Sequence, residues 1–266
     1  MTTSPTATLN VDGTPVWIEG TGPQTLVMIH GWPDTAALWT PQVAHFSDRF
    51  RCVRFTLPGF DVNAPRHALP WRDMVAHLAA IVDAVSPGTP VTLMLHDWGA
   101  VYGYQYAMHH PTRVSRIVGI DVGDTTSAEF VRGLGWRAKA SIFAYQGWLA
   151  LAYLMPRPLG DAMTRWMARQ FRAPAAADLI GATMNHPYVA QFGGGFKGML
   201  AVEPRCPMLF FYGTRKPFSF HTPAWAERLA ATPQCAVHGL RTGHWVMVNQ
   251  RDAFHRHVDD WLATLP

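Results

Sequence analysis

The chain is poor in charge. Asp, Glu, Lys and Arg make up 15% of its 266 residues against 48% hydrophobic residues, which describes a well-buried globular protein and excludes a disordered one. Dense Lys/Arg clusters are missing and the formal net charge is only +4, so no nucleic-acid partner is expected. Cysteine is scarce. Cys52, Cys206 and Cys235 form no motif and leave an odd count, which points to reduced, buried thiols and a cytoplasmic setting. The thirteen histidines show no zinc-ligand spacing; the closest groupings, His109-His110 and His255-x-His257, read as solvated or capping side chains. No apolar run is long enough to span a bilayer, so no membrane partner is expected either. The segment Met1-Thr2-Thr3-Ser4-Pro5 lacks the basic-then-apolar pattern of a signal peptide. Repeats and low-complexity tracts are absent. One large α/β domain, or a core with an inserted subdomain, remains.

What is present alternates. Thr25–Ile29, Arg51–Phe55, Val91–Leu95, Val114–Val122, Pro207–Tyr212 and Ala236–Leu240 read as short strands. Trp71–Val85, the stretch from Val101, Pro223–Ala231 and Asp252–Leu262 read as helices. Alternation of this kind predicts a doubly wound, mostly parallel sheet. From about Thr125 to Leu200 the rhythm breaks. That stretch reads as helical and is rich in large side chains, among them Trp136, Tyr145, Trp148, Tyr153, Met163 and Trp166. It is an ordinary helical layer with its own core, or a lid whose aromatic and Met side chains wall an apolar pocket.

The most informative tetrapeptide is His96-Asp97-Trp98-Gly99. It follows a buried-strand pattern and precedes a helical one, so Asp97 sits on a sharp strand-to-helix turn that lifts its side chain above the sheet. A serine attacking saturated carbon would leave an ether, which hydrolyses poorly. A carboxylate leaves an ester, which water can cleave, so Asp97 suits displacement at an sp³ carbon. Water needs a base, and His244, in Thr242-Gly243-His244-Trp245, follows the last short strand in the expected chain order. The base needs an orienting acid. The loop Gly213-Thr214-Arg215-Lys216-Pro217 offers none, whereas Asp121 lies 24 residues after Asp97, one crossover later on the same sheet edge. The neighbouring Asp124 is the alternative acid and is better read as a helix cap. The oxyanion of ester hydrolysis would be met by the backbone N–H groups of Trp98 and of Trp32, in His30-Gly31-Trp32-Pro33.

These motifs resemble the α/β-hydrolase superfamily. His30-Gly31-Trp32-Pro33, His96-Asp97-Trp98-Gly99-Ala100 and Gly243-His244 span almost the whole chain in order, and the first two are similar to the branch of epoxide hydrolases and haloalkane dehalogenases. The resemblance implies an α/β fold with about eight mostly parallel strands. Residues 1–124 and 201–266 would form the core and 125–200 a helical cap, with no metal or organic cofactor.

The resemblance leaves two chemistries open. Epoxide opening generates an alkoxide, and the epoxide hydrolases protonate it with two cap tyrosines; Tyr145 and Tyr188 match best, with Tyr153 as substitute for Tyr145. A halide leaves as a stable anion and needs only N–H donors such as indoles. Leu95, where epoxide hydrolases usually carry Gly, and Lys216 in the other acid slot lean toward the dehalogenases. Ala100 and the tyrosine pair favour the epoxide, so the expected function is an epoxide hydrolase acting with water on a small apolar or aromatic epoxide. Trp148, Tyr153 and Trp245 are expected in the substrate pocket. The alternatives are a haloalkane dehalogenase and a non-catalytic binding member of the same fold.

Overall fold

Val91–His96 is buried at all six positions because it lies in the middle of a sheet covered on both faces. In the computed structural model, which describes residues 9–265, that sheet has eight strands. They are β1 (Leu9–Val11), β2 (Thr14–Glu19), β3 (Gln24–Ile29), β4 (Phe50–Phe55), β5 (Val91–His96), β6 (Val114–Ile120), β7 (Met208–Gly213) and β8 (Ala236–Leu240). Their spatial order is β1-β2-β4-β3-β5-β6-β7-β8. The first two pairings are antiparallel and the rest parallel. The segment 1–5, read above as lacking a signal peptide, lies outside the described residues.

The sequence reading began its strands at Thr25. The hairpin β1–β2 precedes it, turning at Asp12-Gly13 with φ of 48° and 84°. An Asp-Gly pair tolerates two positive φ values and so fits the twist of the strands it joins. Helices α1 (Thr40–Phe46), α2 (Trp71–Val85) and α3 (Trp98–His109) connect β3, β4, β5 and β6, while α8 (Pro223–Ala230), α9 (Val246–Asn249) and α10 (Arg251–Ala263) complete the layers. Helices α4 (Ala128–Gly133), α5 (Trp136–Leu154), α6 (Arg157–Gln170) and α7 (His186–Phe192) lie between β6 and β7, where the described chain forms no strand. No helix among the described residues is long and apolar enough to cross a membrane, and the three cysteines carry free thiols.

Side-chain alternation divides the core into two layers. Val27, Ile29, Leu93 and Leu95 face α2 and α3, whereas Leu26, Met28 and Met94 pack with Trp39, Phe46, Phe254 and Trp261 on the other face. Two glycines let α3 sit close to the sheet. A Cβ on Gly99 would lie 2.3 Å from the carbonyl oxygens of Ile29 and His30, and one on Gly103 would lie 2.4 Å from the Leu95 side chain. The start of α3 is therefore pressed against the end of β3, which brings the two motif loops together.

Gly99→Ala is expected to lose about 2 kcal/mol in urea unfolding through overpacking against backbone. Gly147→Ala, within α5 where an added Cβ meets nothing within 4 Å, is expected to gain about 0.5–1 kcal/mol in the same measurement.

Candidate active site

The turn between β5 and α3 holds Asp97 at φ 53°, ψ −123°, a conformation L residues rarely adopt. It is sustained from both sides. Ala100 and Val101 donate their N–H groups to the Asp97 carbonyl. Gly31 lies so close that a Cβ there would stand 2.3 Å from Asp97 Oδ1 and 2.4 Å from the Trp98 nitrogen. Trp32 N–H donates to Asp97 Oδ1 at 2.6 Å, and the Trp98 N–H lies near enough to lower the same carboxyl. The other oxygen, Oδ2, lies 3.3 Å from His244 Nε2. His30 locks the loop from behind: its Nε2 accepts the Leu57 N–H at 3.0 Å, so its Nδ1–H donates to the Gly31 carbonyl.

His244 bridges two carboxylates. Its Nδ1 is 2.5 Å from Asp121 Oδ2. Asp121 also stands at positive φ, 68°, and its Oδ1 accepts the Gly213 N–H at 2.8 Å. Lys216, from the slot that lacks an acid, returns its ammonium to within 2.5 Å of Asp121 Oδ2. Asp124 is used elsewhere: it accepts from the Thr222 N–H and hydroxyl and from Ser127, and Ser127 is the residue that caps α4.

The charges follow from this packing. Burial would raise the Asp97 carboxyl, but the His244 hydrogen bond and charge, then His96 and the Trp98 N–H, hold it below the ordinary range. Burial likewise opposes ionisation of Asp121, and Lys216 and His244 reverse it. For His244 burial pulls the imidazole down while Asp121 and Asp97 push it up, to about 9. The resting site therefore carries an imidazolium between two carboxylates at neutral pH. His96, packed against His244 at 4.5 Å between ring centroids, is driven down by burial to about 3 and stays neutral.

Asp97 opens into a cavity of about 590 Å³ that Tyr145 and Tyr188 also line. The two phenol rings are 6.2 Å apart in edge-to-face contact. Burial first, with the Asp97 charge acting in the same direction, raises both phenols well above their usual value and keeps them protonated. Tyr188 packs edge-to-face against the Trp98 ring at 5.3 Å between centroids, and the Trp32 indole donates to Asn185 Oδ1 at 2.8 Å.

Three expected pocket residues do not reach the cavity. Trp148 points away on α5, donating to the Met163 carbonyl and packing on Trp166. Tyr153 is buried beneath Arg66, whose guanidinium lies over its ring. Trp245 is buried in the layer behind the site, where its indole donates to Asp34 Oδ2 at 2.8 Å. Asp34 itself, raised by burial to about 7, and Asn185 are site-supporting residues that the sequence reading passed over. Asp34 follows His30-Gly31-Trp32-Pro33 and Asn185 stands three residues before Tyr188, but their partners are 211 and 153 residues away in the chain, so no local signal marks them.

Comparison with known proteins adds the lineage. A family model described as alpha/beta hydrolase fold matches residues 24–179. An epoxide hydrolase from Bacillus megaterium superposes with a TM-score of 0.74 over 96% of this chain and 99% of its own, at 20% identity, which establishes likeness of fold. A Mycobacterium tuberculosis protein named Probable oxidoreductase EphD is 30% identical over 140 residues, 49% of this chain and 24% of that protein. A Haloalkane dehalogenase from Mycolicibacterium smegmatis is 32% identical over 102 residues, 36% of this chain and 32% of the relative. The aligned stretches thus span a quarter to a third of these curated relatives.

Lys216→Met removes the cation from the oxygen that Asp121 shares with His244. The His244 imidazole should then titrate above its starting value of about 9, because an uncompensated carboxylate stabilises the imidazolium more. NMR titration of ring-labelled histidine reads this; a downward move would refute the assigned role of Lys216.

Proposed function

Because the chain belongs to the alpha/beta hydrolase fold family, we propose that it is a cofactor-independent hydrolase that opens an epoxide to a vicinal diol through an ester on Asp97. Helices α4–α7 act as its cap, over residues 125–200, and the free thiols of Cys52, Cys206 and Cys235 suit a cytoplasmic site of action.

The mechanism uses the two oxygens of Asp97 differently. Oδ2 attacks the less hindered epoxide carbon and the C–O bond breaks. The alkoxide takes a proton from Tyr145 or Tyr188, which are phenols at neutral pH. Once Asp97 is an ester, one of the two negative charges that raised His244 is gone, and the imidazolium passes its proton to the phenolate, restoring the phenol and leaving a neutral base. Neutral His244, oriented by Asp121, then takes a proton from water. The hydroxide adds to the ester carbonyl carbon, and the negative charge develops on Oδ1, which already accepts the Trp32 N–H, with the Trp98 N–H expected to close on it as the second donor. Collapse breaks the ester C–O bond, the departing alkoxide takes the carboxyl proton to complete the diol, and His244 keeps the proton from water as the resting imidazolium.

The observation that carries the epoxide reading is the division of donors around the cavity. Two protonated phenols share it with Asp97, while the Trp32 indole, suited to a departing halide, is engaged by Asn185. The apolar wall accommodates a haloalkane equally well, so halide release is the competing outcome.

Asp97→Asn should lower turnover by a factor on the order of 10⁴ or more without loss of fold. His244→Gln, incubated with a styrene-oxide-type epoxide, should gain the full mass of the epoxide on Asp97, measured by intact and peptide mass spectrometry. Tyr145→Phe/Tyr188→Phe should abolish that adduct while sparing any reaction with a bromoalkane. Adducts from bromoalkanes alone would make the protein a dehalogenase, and no adduct from either would end the covalent mechanism.

The wild-type ester should accumulate as pH falls from 8 to 5.5 and vanish as it rises. Attack by Asp97 tolerates imidazolium, whereas ester hydrolysis needs neutral His244. Rapid-quench mass spectrometry at the two pH values reads the ratio, and accumulation at the higher pH would contradict the role of His244.

A further inference from the structure

A surface helix normally turns a charged face to water, and α5 does not. Its only charged residues, Arg137 and Lys139, fall in the first turn; none follows through Leu154. The inner side of α5 packs through Tyr145, Leu149 and Ala152. The outer side presents Trp136, Ala140, Phe143, Leu151 and Leu154 at helical spacing, a stripe about 27 Å long. Exposure of 74% for Trp136, 68% for Phe143 and 67% for Leu154 shows that no described residue covers it. Trp166 of α6 packs at a tilt against Trp148 of α5, and with Leu159 extends the apolar face to the neighbouring helix.

The surrounding charge is net positive. Residues 125–200 hold eight Lys/Arg against three Asp/Glu, a net +5, so this segment exceeds the +4 of the whole chain and the remainder is slightly acidic. The Arg137 guanidinium lies over the Trp136 ring, and Arg169 follows Trp166 by three residues, so basic groups border the apolar stripe. The same face contains the way into the site: Val131, Phe143 and Phe192 are exposed and also line the cavity that ends at Asp97. Two copies meeting through this face would set +5 against +5, which disfavours self-association.

We propose that this face docks reversibly, without spanning, on an anionic lipid surface, with the cavity mouth turned toward the lipid so that an apolar substrate enters from it. Buried apolar area and the attraction of basic side chains to anionic headgroups act together in such docking. The docking stands on the surface alone; the entry of substrate rests on the epoxide reading above.

Vesicle sedimentation of the full chain tests docking without any turnover. The wild type should bind phosphatidylcholine vesicles containing 30% phosphatidylglycerol at low salt and bind pure phosphatidylcholine at least tenfold less. Trp136→Glu/Leu154→Glu should lose binding at least tenfold, with unchanged circular dichroism and unchanged hydrolysis of soluble styrene oxide. Arg137→Gln/Arg169→Gln, which leaves the apolar stripe intact, should weaken anionic-vesicle binding roughly thirtyfold. With a long-chain epoxide dissolved in the anionic vesicles, the wild type should outpace the Trp136→Glu/Leu154→Glu variant at least fivefold. Absent wild-type binding, equal binding by the Glu variant, or a dimer in light scattering that the Glu variant splits would each overturn the docking. Equal rates on vesicle-borne epoxide would overturn the entry route alone.

Discussion

Everything at the site depends on one strained turn. Asp97 is held at positive φ with one carboxylate oxygen against the Trp32 N–H and the other toward His244. Neither orientation would persist if the loop after β3 stood farther away. Gly31 and Gly99 remove the atoms that would force that separation. The cost of the turn is met by the sheet, whose central strand is buried throughout and whose alternating residues anchor both layers.

Placing Asp97 there creates an electrostatic problem, since two carboxylates lie within reach of one imidazole in a region of low solvation. The protein answers with Lys216. Without it, Asp121 and Asp97 would both bear on His244 uncompensated, and the imidazolium would be harder to discharge. With it, Asp121 remains an orienting acceptor of moderated strength. The residue that occupies the expected acid position thus acts on the acid that moved, through the same oxygen that holds the histidine.

The helical insertion has two faces with different physics. Its inner side contributes Tyr145 and Tyr188 to the cavity and ties Trp32 through Asn185, whose amide in turn donates to Thr164 of α6. Its outer side leaves an apolar stripe in water amid basic residues. In the proposed reaction the inner side supplies protons to an alkoxide, and in the proposed docking the outer side draws the mouth of the same cavity to the lipid.

The legible part of this protein was local. Asp97 and Asp121 each follow directly on a strand and His244 stands in the short loop after β8, and a strand-to-loop transition is written in a few consecutive residues, so chain order brought them to one edge of the sheet. The strands β3 to β8 were legible for the same reason, while the β1–β2 hairpin was marked only by Asp12-Gly13. The tertiary structure decided which cap residues face inward. Helix α5 is apolar around its whole circumference, so its sequence carries no periodicity that distinguishes Tyr145, on the cavity wall, from Trp148, on the outside. It also decided the pairings of Lys216 with Asp121, Trp32 with Asn185 and Trp245 with Asp34, which join residues 95 to 211 positions apart. Such contacts form only once the helices settle on the sheet, and no pattern in neighbouring residues encodes them.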